Sequence, residues 1–583
     1  MAAVTDVITL ENFASKMPPW APDLSNHLYA LVDMGSNGIR FSISDLSPPH
    51  SRLLKCLYRE RAAISLFDAL NTSSNGPLTF PPEIITQVAR TLARFKSIAN
   101  EYGVPPEHVS VFATEAMRKA GNAASMLDAI LAESGLGVYI LAPEVETLFG
   151  AMGARSAFTE VNGLFLDLGG GSVQITYMNS SINNYEIIAA QAGKSLPFGA
   201  AKLIKVLETS AEQARASAIN DLQTGMQNAF AKLRQEFPTL EATQRSPETD
   251  GVDIYLCGGG FRGYGSILMH NDPIQPYPIP AVGAYTVDAA FFKHTKAMRK
   301  VNTTYDGKIF GMSKRRRQQF PAIATVVEAL IHSVPRIRTA TFCSGGNREG
   351  ALLMKLPKVI REANPLQLLH QPSNNMAAEV LQSIMDTIRS SLPVDDEFLN
   401  VPTIFTWGLG PLFASQIWTR TGEPSDANAA YEIHRAITRD PSAPGFTHLA
   451  RSLLGLTLCH RWGANLGPVD QQLYTNIRKL VDQANREAVF WAEYIGAIAS
   501  LLVEVCPTMP NTPARLEKSI QFNAIMSSGK KKGKIELVIS LCPVVFQALD
   551  PQNIADSFKS VGKQQDTNGR DKKVKVVVQK IPS

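Results

Sequence analysis

Two short stretches bring together residue types suited to holding a phosphate. In the first, Asp33 is followed by Gly35, Ser36, Asn37 and Gly38; in the second, Asp167 is followed by Gly169, Gly170, Gly171 and Ser172. Glycines permit the positive φ angles that turn successive backbone N–H groups onto one anion, and a preceding Asp can hold Mg2+ directly or through water. Either stretch alone is also good hairpin-turn chemistry. Three consecutive glycines, however, are costly in backbone entropy unless close approach is needed, and two Asp-led loops of one plan argue together for a phosphate site. A third apolar run ends in Gly258, Gly259 and Gly260 and is expected to add a further loop to the same cleft. A Rossmann dinucleotide site is disfavoured, because each Asp-led loop enters a strand where that fingerprint requires a helix.

Hydrolysis of a phosphoanhydride also needs a group that orients or deprotonates water. Glu144 and Glu146 follow a strand at the start of a helix and are candidates, although acidic residues there also favour the helix N-terminus by themselves. Arg118, in ATEAMRKA, is either a phosphate contact or a surface arginine on a helix.

The elements that must position these residues can be read from periodicity. Residues 28–46 read as strand, Gly turn and alternating strand, and residues 163–178 repeat that plan. Residues 252–269 and 336–354 each carry an apolar strand into glycines, the latter at Ser344, Gly345 and Gly346. A helical pattern at 82–102, an extended segment at 108–116, a helix to about 134 and a strand at 138–142 lie between the first two. Strands alternating with helices give a parallel or mixed sheet, with Gly turns at the carboxyl ends of strands facing one cleft. The fold class that follows is α/β with a duplicated phosphate-binding core. Residues 355–514 are helical in pattern; beyond them two strands flank a short helix, preceded by Lys530, Lys531, Lys532 and Lys534. The expected organisation is an N-terminal tail (1–27), a first lobe (28–162), a second lobe (163–355), a helical domain (356–514) and a small α/β appendage (515–583).

At 583 residues the chain exceeds one hydrophobic core. Its 45% hydrophobic and 19% charged residues exclude general disorder. The net charge of +5 is small and the basic residues are dispersed, so charge gives no argument for nucleic acid. Cys56, Cys257, Cys343, Cys459, Cys506 and Cys542 form no CxxC pair and no Cys/His cluster, which suits a reducing compartment. The N-terminus lacks a basic and apolar signal pattern, and the apolar stretch at 488–506 is interrupted by Glu493 and Glu504, so neither secretion nor a membrane span is expected. A cytoplasmic protein is the expectation.

In this order and spacing, DMGSNGIRFSI, ATEAMRKA, the Glu146 segment and LDLGGGSVQI resemble the exopolyphosphatase and guanosine pentaphosphate phosphohydrolase family, which has the duplicated actin-like ATPase (ribonuclease H-like) fold. SGGNREGALLM and GMSKRRRQQFPA look like that family's second-lobe continuation, so the resemblance covers residues 28–356. It implies a phosphate cradle from both glycine loops and Arg118, Mg2+ on Asp33 and Asp167, Glu146 as the catalytic carboxylate, and ATP or another polyphosphate as ligand. It also shows departures. Val145 stands where the family has the first of two glutamates, Gln174 where it has an acid two positions beyond the loop serine, and Gly259-Gly260-Phe261 where it has a hydroxyl-bearing turn. These changes keep the cradle and deplete the groups around metal and water, so binding is better supported than turnover. None of the ten histidines precedes an Asp, so the second, metal-dependent centre of similar hydrolases is not expected in 356–583. CGGGFRGYGSILM, NDPIQPYPIPAVGAYTVDAAFF and the long extension look most like a fungal retrograde-regulation branch. That implies a signalling regulator sensing a nucleotide or polyphosphate and acting through an inhibitory signalling protein. Residues 314–317 (KRRR) are expected as a solvated basic helix start, and the terminal lysines as solvated chain.

Overall fold

A computed structural model of the chain describes residues 6–71, 78–393, 401–422, 427–528, 533–562 and 572–581. Residues 1–272, 281–365 and 442–445 form one compact unit, and residues 273–280, 366–441 and 446–583 a second.

The first unit is built on two six-stranded sheets. β1 (Asp6–Ile8), β2 (Leu28–Gly35), β3 (Gly38–Asp45), β4 (Lys55–Ala62), β5 (Val109–Ala113) and β6 (Val138–Leu141) lie in the order β1-β6-β5-β2-β3-β4. β7 (Asn162–Leu168), β8 (Val173–Asn179), β9 (Lys194–Leu196), β10 (Val252–Cys257), β11 (Tyr285–Asp288) and β12 (Ile337–Phe342) lie in the order β11-β12-β10-β7-β8-β9. Five strands of each sheet correspond in order and sense: an antiparallel meander (β2–β3–β4, β7–β8–β9) continued on its first strand by two parallel neighbours (β5–β6, β10–β12). The sixth strands differ, β1 being parallel to β6 and β11 antiparallel to β12. This duplicated, actin-like α/β plan is the expected fold class.

β2 is buried on both faces because helices cover both. On one side the helix Pro82–Glu101 starts with proline at its first position and buries Val88, Leu92, Phe95 and Ala99, a single stripe at helical spacing. On the other, the helix Pro143–Arg155 shares a core with Tyr29, Leu31 and Phe112 of the first sheet and Phe165, Met178 and Cys257 of the second. It crosses the helix Asn347–Lys355 so closely that a Cβ on Gly153 would overlap the Gly346 backbone, and one on Gly350 the Phe149 carbonyl. That crossing ties the two halves into one core.

The N-terminal segment is not a tail. β1 pairs with β6 from Asp6↔Tyr139 to Ile8↔Leu141, and Ile8 and Met17 are buried in the shared core. Three strand residues are too few for periodicity to reveal. Residues 356–365 also belong with the two sheets: the helix Lys358–Arg361 brings the buried Arg361 to Glu186 (2.5 Å), and Glu362 pairs with the buried Arg155. The boundary expected at 355 therefore falls within the first unit.

The second unit is mainly helical and ends in a three-stranded sheet. β13 (Ile520–Ser528) pairs antiparallel with β14 (Gly533–Leu541), which pairs parallel with β15 (Lys573–Lys580). β14 and β15 are the two strands expected; β13 is an addition, with Ile520, Phe522 and Ala524 inward and Gln521, Asn523 and Ile525 outward. Lys530, Lys531 and Lys532 lie outside the described residues. The helix Arg486–Val505 is long and apolar enough to cross a membrane by length and composition, and most of it is buried in this unit, where Glu493 accepts from the Gly562 amide (2.9 Å).

Candidate functional site

Each sheet presents one Asp at the carboxyl end of its central strand. Asp33 sits two residues before the end of β2, and the hairpin register places Arg40 directly opposite, Nη1 3.7 Å from Asp33 Oδ2. Asp33 is 4% exposed and its Oδ1 has no donor. Asp167 occupies the same place on β7, opposite Gln174. Burial pushes its carboxyl up, Arg40 and Arg262 oppose, and Asp33 adds to the rise. Glu146, in the first turn of the helix Pro143–Arg155, lines one small cavity with Asp167 and Gln174. Burial pushes Glu146 up to about 7; Arg118 opposes this, while Asp33 and Asp167 reinforce it. Arg118 donates to Glu146 Oε2 (2.7 Å) and to the Leu141 carbonyl (2.6 Å). The two candidates named separately from the sequence are thus an ion pair. Glu144 is exposed.

Both loops commit carbonyls to the rest of the fold and leave most of their turn amides without an acceptor, the Gly169 amide, which donates to the Ser172 carbonyl (3.0 Å), being an exception. The Ser36 carbonyl accepts from Phe67 N (3.0 Å) and Ser65 Oγ (3.2 Å), and the Asn37 carbonyl from Arg61 Nη2 (2.6 Å). In the second loop, Gly169 O accepts from Ala200 N, Gly170 O from Ala201 N and Lys202 N, and Gly171 O from Gly199 N, at 2.9–3.1 Å. Among the described residues the amides of Ser36, Asn37, Gly170, Gly171 and Ser172 have no acceptor. Gly170, Gly171 and Ser172 are buried and Ser36 and Asn37 partly buried; buried amides without acceptors are rare in folded proteins, and donors so placed on two hairpins suit an anion. The reason for glycine differs from the expected one. None of Gly169, Gly170 and Gly171 has positive φ; at Gly170 and Gly171 a side chain would lack space. A Cβ on Gly170 would stand 2.7 Å from the Asn37 side chain, and one on Gly171 would overlap Glu115 Oε2.

Gly258, Gly259 and Gly260 are not a loop. They open the helix Gly258–His270 directly from β10, with Gly258 at φ +85° against Asp167 and Leu168. Gly259 faces two arginines, its Cβ position 3.9 Å from Arg316 Nη2 and 4.0 Å from Arg40 Nη2.

Residues 314–317 likewise do more than solvate a helix start. The helix Lys314–Ser333 leaves Lys314 exposed but directs Arg315 Nη2 to Asn37 Oδ1 (2.8 Å), Ser65 Oγ (2.8 Å) and Asp68 Oδ2 (2.6 Å), joining the second half to the first Asp-led loop. Arg316 donates to the Gly311 carbonyl (2.7 Å). Its guanidinium is pushed down to about 10, by burial first and then by Arg262, Arg40 and Arg61. Among the described residues, Arg61, Arg262 and Arg316 have only carbonyls as hydrogen-bond partners and no carboxylate at ion-pair distance. Such mutual repulsion is relieved by a multiply charged anion.

Oxygen donors suited to Mg2+ are present. Among the described residues Asp33 Oδ1 and Asn347 Oδ1 are buried without donors, and Asn347 Oδ1 and Asp167 Oδ2 both border the Cβ position of Gly150, at 3.6 and 3.3 Å. Among the described residues no group of three His, Cys, Asp or Glu gathers at metal-binding distance, so waters and phosphate oxygens would complete such a site.

Two departures seen in the sequence acquire a structural meaning. Val145 is fully buried in the core between the sheets, one helical position round from the cleft. Gln174 is 6% exposed and donates to Ser172 Oγ (2.9 Å), bracing the second loop with a neutral group. The sequence reading missed Arg40, Arg61, Arg262, Asn347 and Glu115. Only Arg40 was within its reach, since a turn closed by Gly35 and Gly38 fixes its partner as Asp33.

The duplicated actin-like core thus carries an Asp-led hairpin with a glycine turn in each half. A model of the Ppx/GppA phosphatase family matches residues 43–359, and the chain belongs to that family. A second model, described as the RTG2 C-terminal domain, matches residues 364–581. The chain is 31% identical over 498 residues to retrograde regulation protein 2 of Saccharomyces cerevisiae, covering 83% of this chain and 82% of the relative. Among solved structures it is similar to the Aquifex aeolicus PPX-GPPA enzyme (18% identity, 56% of this chain and 98% of that one, TM-score 0.43). It is also similar to an exopolyphosphatase from Cytophaga hutchinsonii (20% identity, 55% and 96%, TM-score 0.41).

Proposed function

We propose that this chain is a signalling regulator of the retrograde, mitochondria-to-nucleus type. It binds a nucleotide or polyphosphate with Mg2+ in the cleft between the two sheets, and acts in the cytoplasm through an inhibitory signalling protein. The likeness to retrograde regulation protein 2 over most of both chains supports the signalling role. The observation that carries the ligand reading is the meeting of Arg61, Arg262 and Arg316, none with a carboxylate partner among the described residues, with five amides on two hairpins that have no acceptor there. Guanidinium groups and amides bind phosphate oxygens by charge-assisted hydrogen bonds of about 1.5–3 kcal/mol each. Asp33 and Asp167 would hold Mg2+, which neutralises phosphate charge when bound. Arg315 would couple occupancy of the first loop to the contact between the halves, because one guanidinium serves both Asn37 and Asp68.

A hydrolase reading is favoured by one observation: a Glu146 carboxyl at about 7 can accept a proton near neutral pH. Against it, Oε2 of that carboxyl is engaged by Arg118, and Val145 and Gln174 supply no second acid. Calorimetric titration with ATP, pppGpp and polyphosphate in Mg2+, beside a phosphate-release assay, separates the readings. Stoichiometric binding without release is expected. Release by the native chain that disappears in Glu146→Ala makes it an enzyme, and absence of binding removes the cleft from the account.

A further inference from the structure

The carboxyl-terminal module carries charge for which the cleft gives no use. Residues 515–583 contain 13 Lys and Arg against six Asp and Glu, a net +7 in a chain whose total is +5. A strongly basic segment on an otherwise slightly acidic chain points to an acidic partner.

The sheet of this module stops abruptly. β15 pairs with β14 from Lys534↔Lys573 to Leu541↔Lys580, and among the described residues no strand pairs with its other side. Its outward N–H and C=O groups form an open edge, which proteins normally shorten, cover or charge. Two further observations define what fits there. Val574, Val576 and Val578 continue the fully buried row of Ile535, Leu537 and Ile539, yet they are only half-buried. The apolar face therefore extends to the edge without being closed. On the opposite face Glu536 lies 3.5 Å from Lys534 and 3.9 Å from Lys575, and Lys573 stands across from Lys534. Three cations against one anion on this face repel a second β15 edge and attract a strand of opposite charge.

We propose that β15 is the docking edge for an extended acidic segment of a partner protein, added to this sheet as a fourth strand. Main-chain bonds to β15 supply the affinity, alternate apolar residues lengthen the valine row, and the intervening carboxylates lie beside Lys573 and Lys575. The inference is independent of what the cleft binds.

The test uses the full chain and a fluorescent peptide of alternating Glu and Val, with a peptide of the same charge carrying proline at alternate positions as control. The alternating peptide is expected to bind and to slow hydrogen exchange of the β15 amides. Lys573→Glu combined with Lys575→Glu, two exposed changes, should weaken it about tenfold or more and leave cleft-ligand titrations unchanged. No binding, or equal binding of the proline peptide, overturns strand addition. Protection of β15 that rises with protein concentration in the absence of peptide makes a second copy the occupant and also overturns the proposal.

Discussion

The hairpins β2–β3 and β7–β8 share a plan and differ in what fills it. The first turns in two residues and sets Asp33 against Arg40; the second turns in four and sets Asp167 against Gln174. The first loop is fastened largely by side chains from elsewhere, with Arg61 on the Asn37 carbonyl and Arg315 on the Asn37 side chain. The second is fastened by backbone, with the amides of residues 199–202 on three loop carbonyls. Side-chain bonds can be removed singly and their groups rehydrated, whereas a peptide packed on a peptide has nothing that can yield. The two halves of the cradle should therefore differ in tolerance to change.

The largest effect is expected where the second loop meets Gly199. A methyl group there overlaps the peptide joining Gly170 and Gly171, so Gly199→Ala should cost about 1–3 kcal/mol of stability and abolish binding of Mg-polyphosphate. Gly170→Val, crowding Asn37 at 2.7 Å, should also abolish binding with less loss of stability. On the first loop, Asn37→Ala removes one bond to Arg315 and should cost about 0.5–1.5 kcal/mol. Thermal unfolding and calorimetry of the three variants decide the matter. Equal losses at Asn37 and Gly199 would mean that the loops are held alike.

Those features were legible to different degrees. Strand, Asp, glycines and alternating strand mark both hairpins because each signal is local, and the repeat of the whole pattern joins them across the chain. Three glycines after β10 carry the same local signal and are instead a helix start, because the chain turns at Gly258 without leaving Asp167. Local sequence cannot place Arg315, which reaches Asn37 only because two halves of the chain fold onto one core. For the same reason a run of four basic residues read as solvated while its members Arg315 and Arg316 line the site. Arg118 and Glu146 were both named, but their pairing needed β6 and the helix after it to be placed in space.

Glu146 sharpens the comparison through pH, because both aspartates act on it. Its folded-state carboxyl, at about 7, lies above the ordinary 4.5, so the native protein holds this proton more tightly than the unfolded chain. Stability therefore falls as pH rises from about 4.5 to about 7, by about 3 kcal/mol from this group alone. Glu146→Gln should remove that fall, and urea unfolding at a series of pH values measures it. Identical pH dependence in both proteins would mean that Arg118 outweighs burial and holds Glu146 ionised.

A smaller effect is expected from the cations that have no acid partner. Arg61→Ala and Arg316→Ala should each weaken polyphosphate binding about tenfold and flatten its dependence on salt. Each change removes one hydrogen bond to a carbonyl, at a cost of about 0.5–1.5 kcal/mol, and relieves repulsion from Arg40, so thermal stability should change little. A variant that loses stability without losing affinity would assign that arginine to the fold.

The smallest expected effect tests whether the two aspartates are equivalent toward a metal. Gln174→Glu places a charge opposite Asp167, where Asp33 has a cation, and so makes the hairpins more unlike. The Ser172 hydroxyl, now accepting from the Gln174 amide at 2.9 Å, can rotate to donate to a carboxylate, so the loop keeps its brace. The added charge should weaken polyphosphate binding a few-fold without Mg2+ and restore it with Mg2+, steepening the dependence on the cation. If that dependence is unchanged in Gln174→Glu but disappears in Asp33→Asn, the metal is held from the first hairpin alone and Asp167 serves the packing of Gly258.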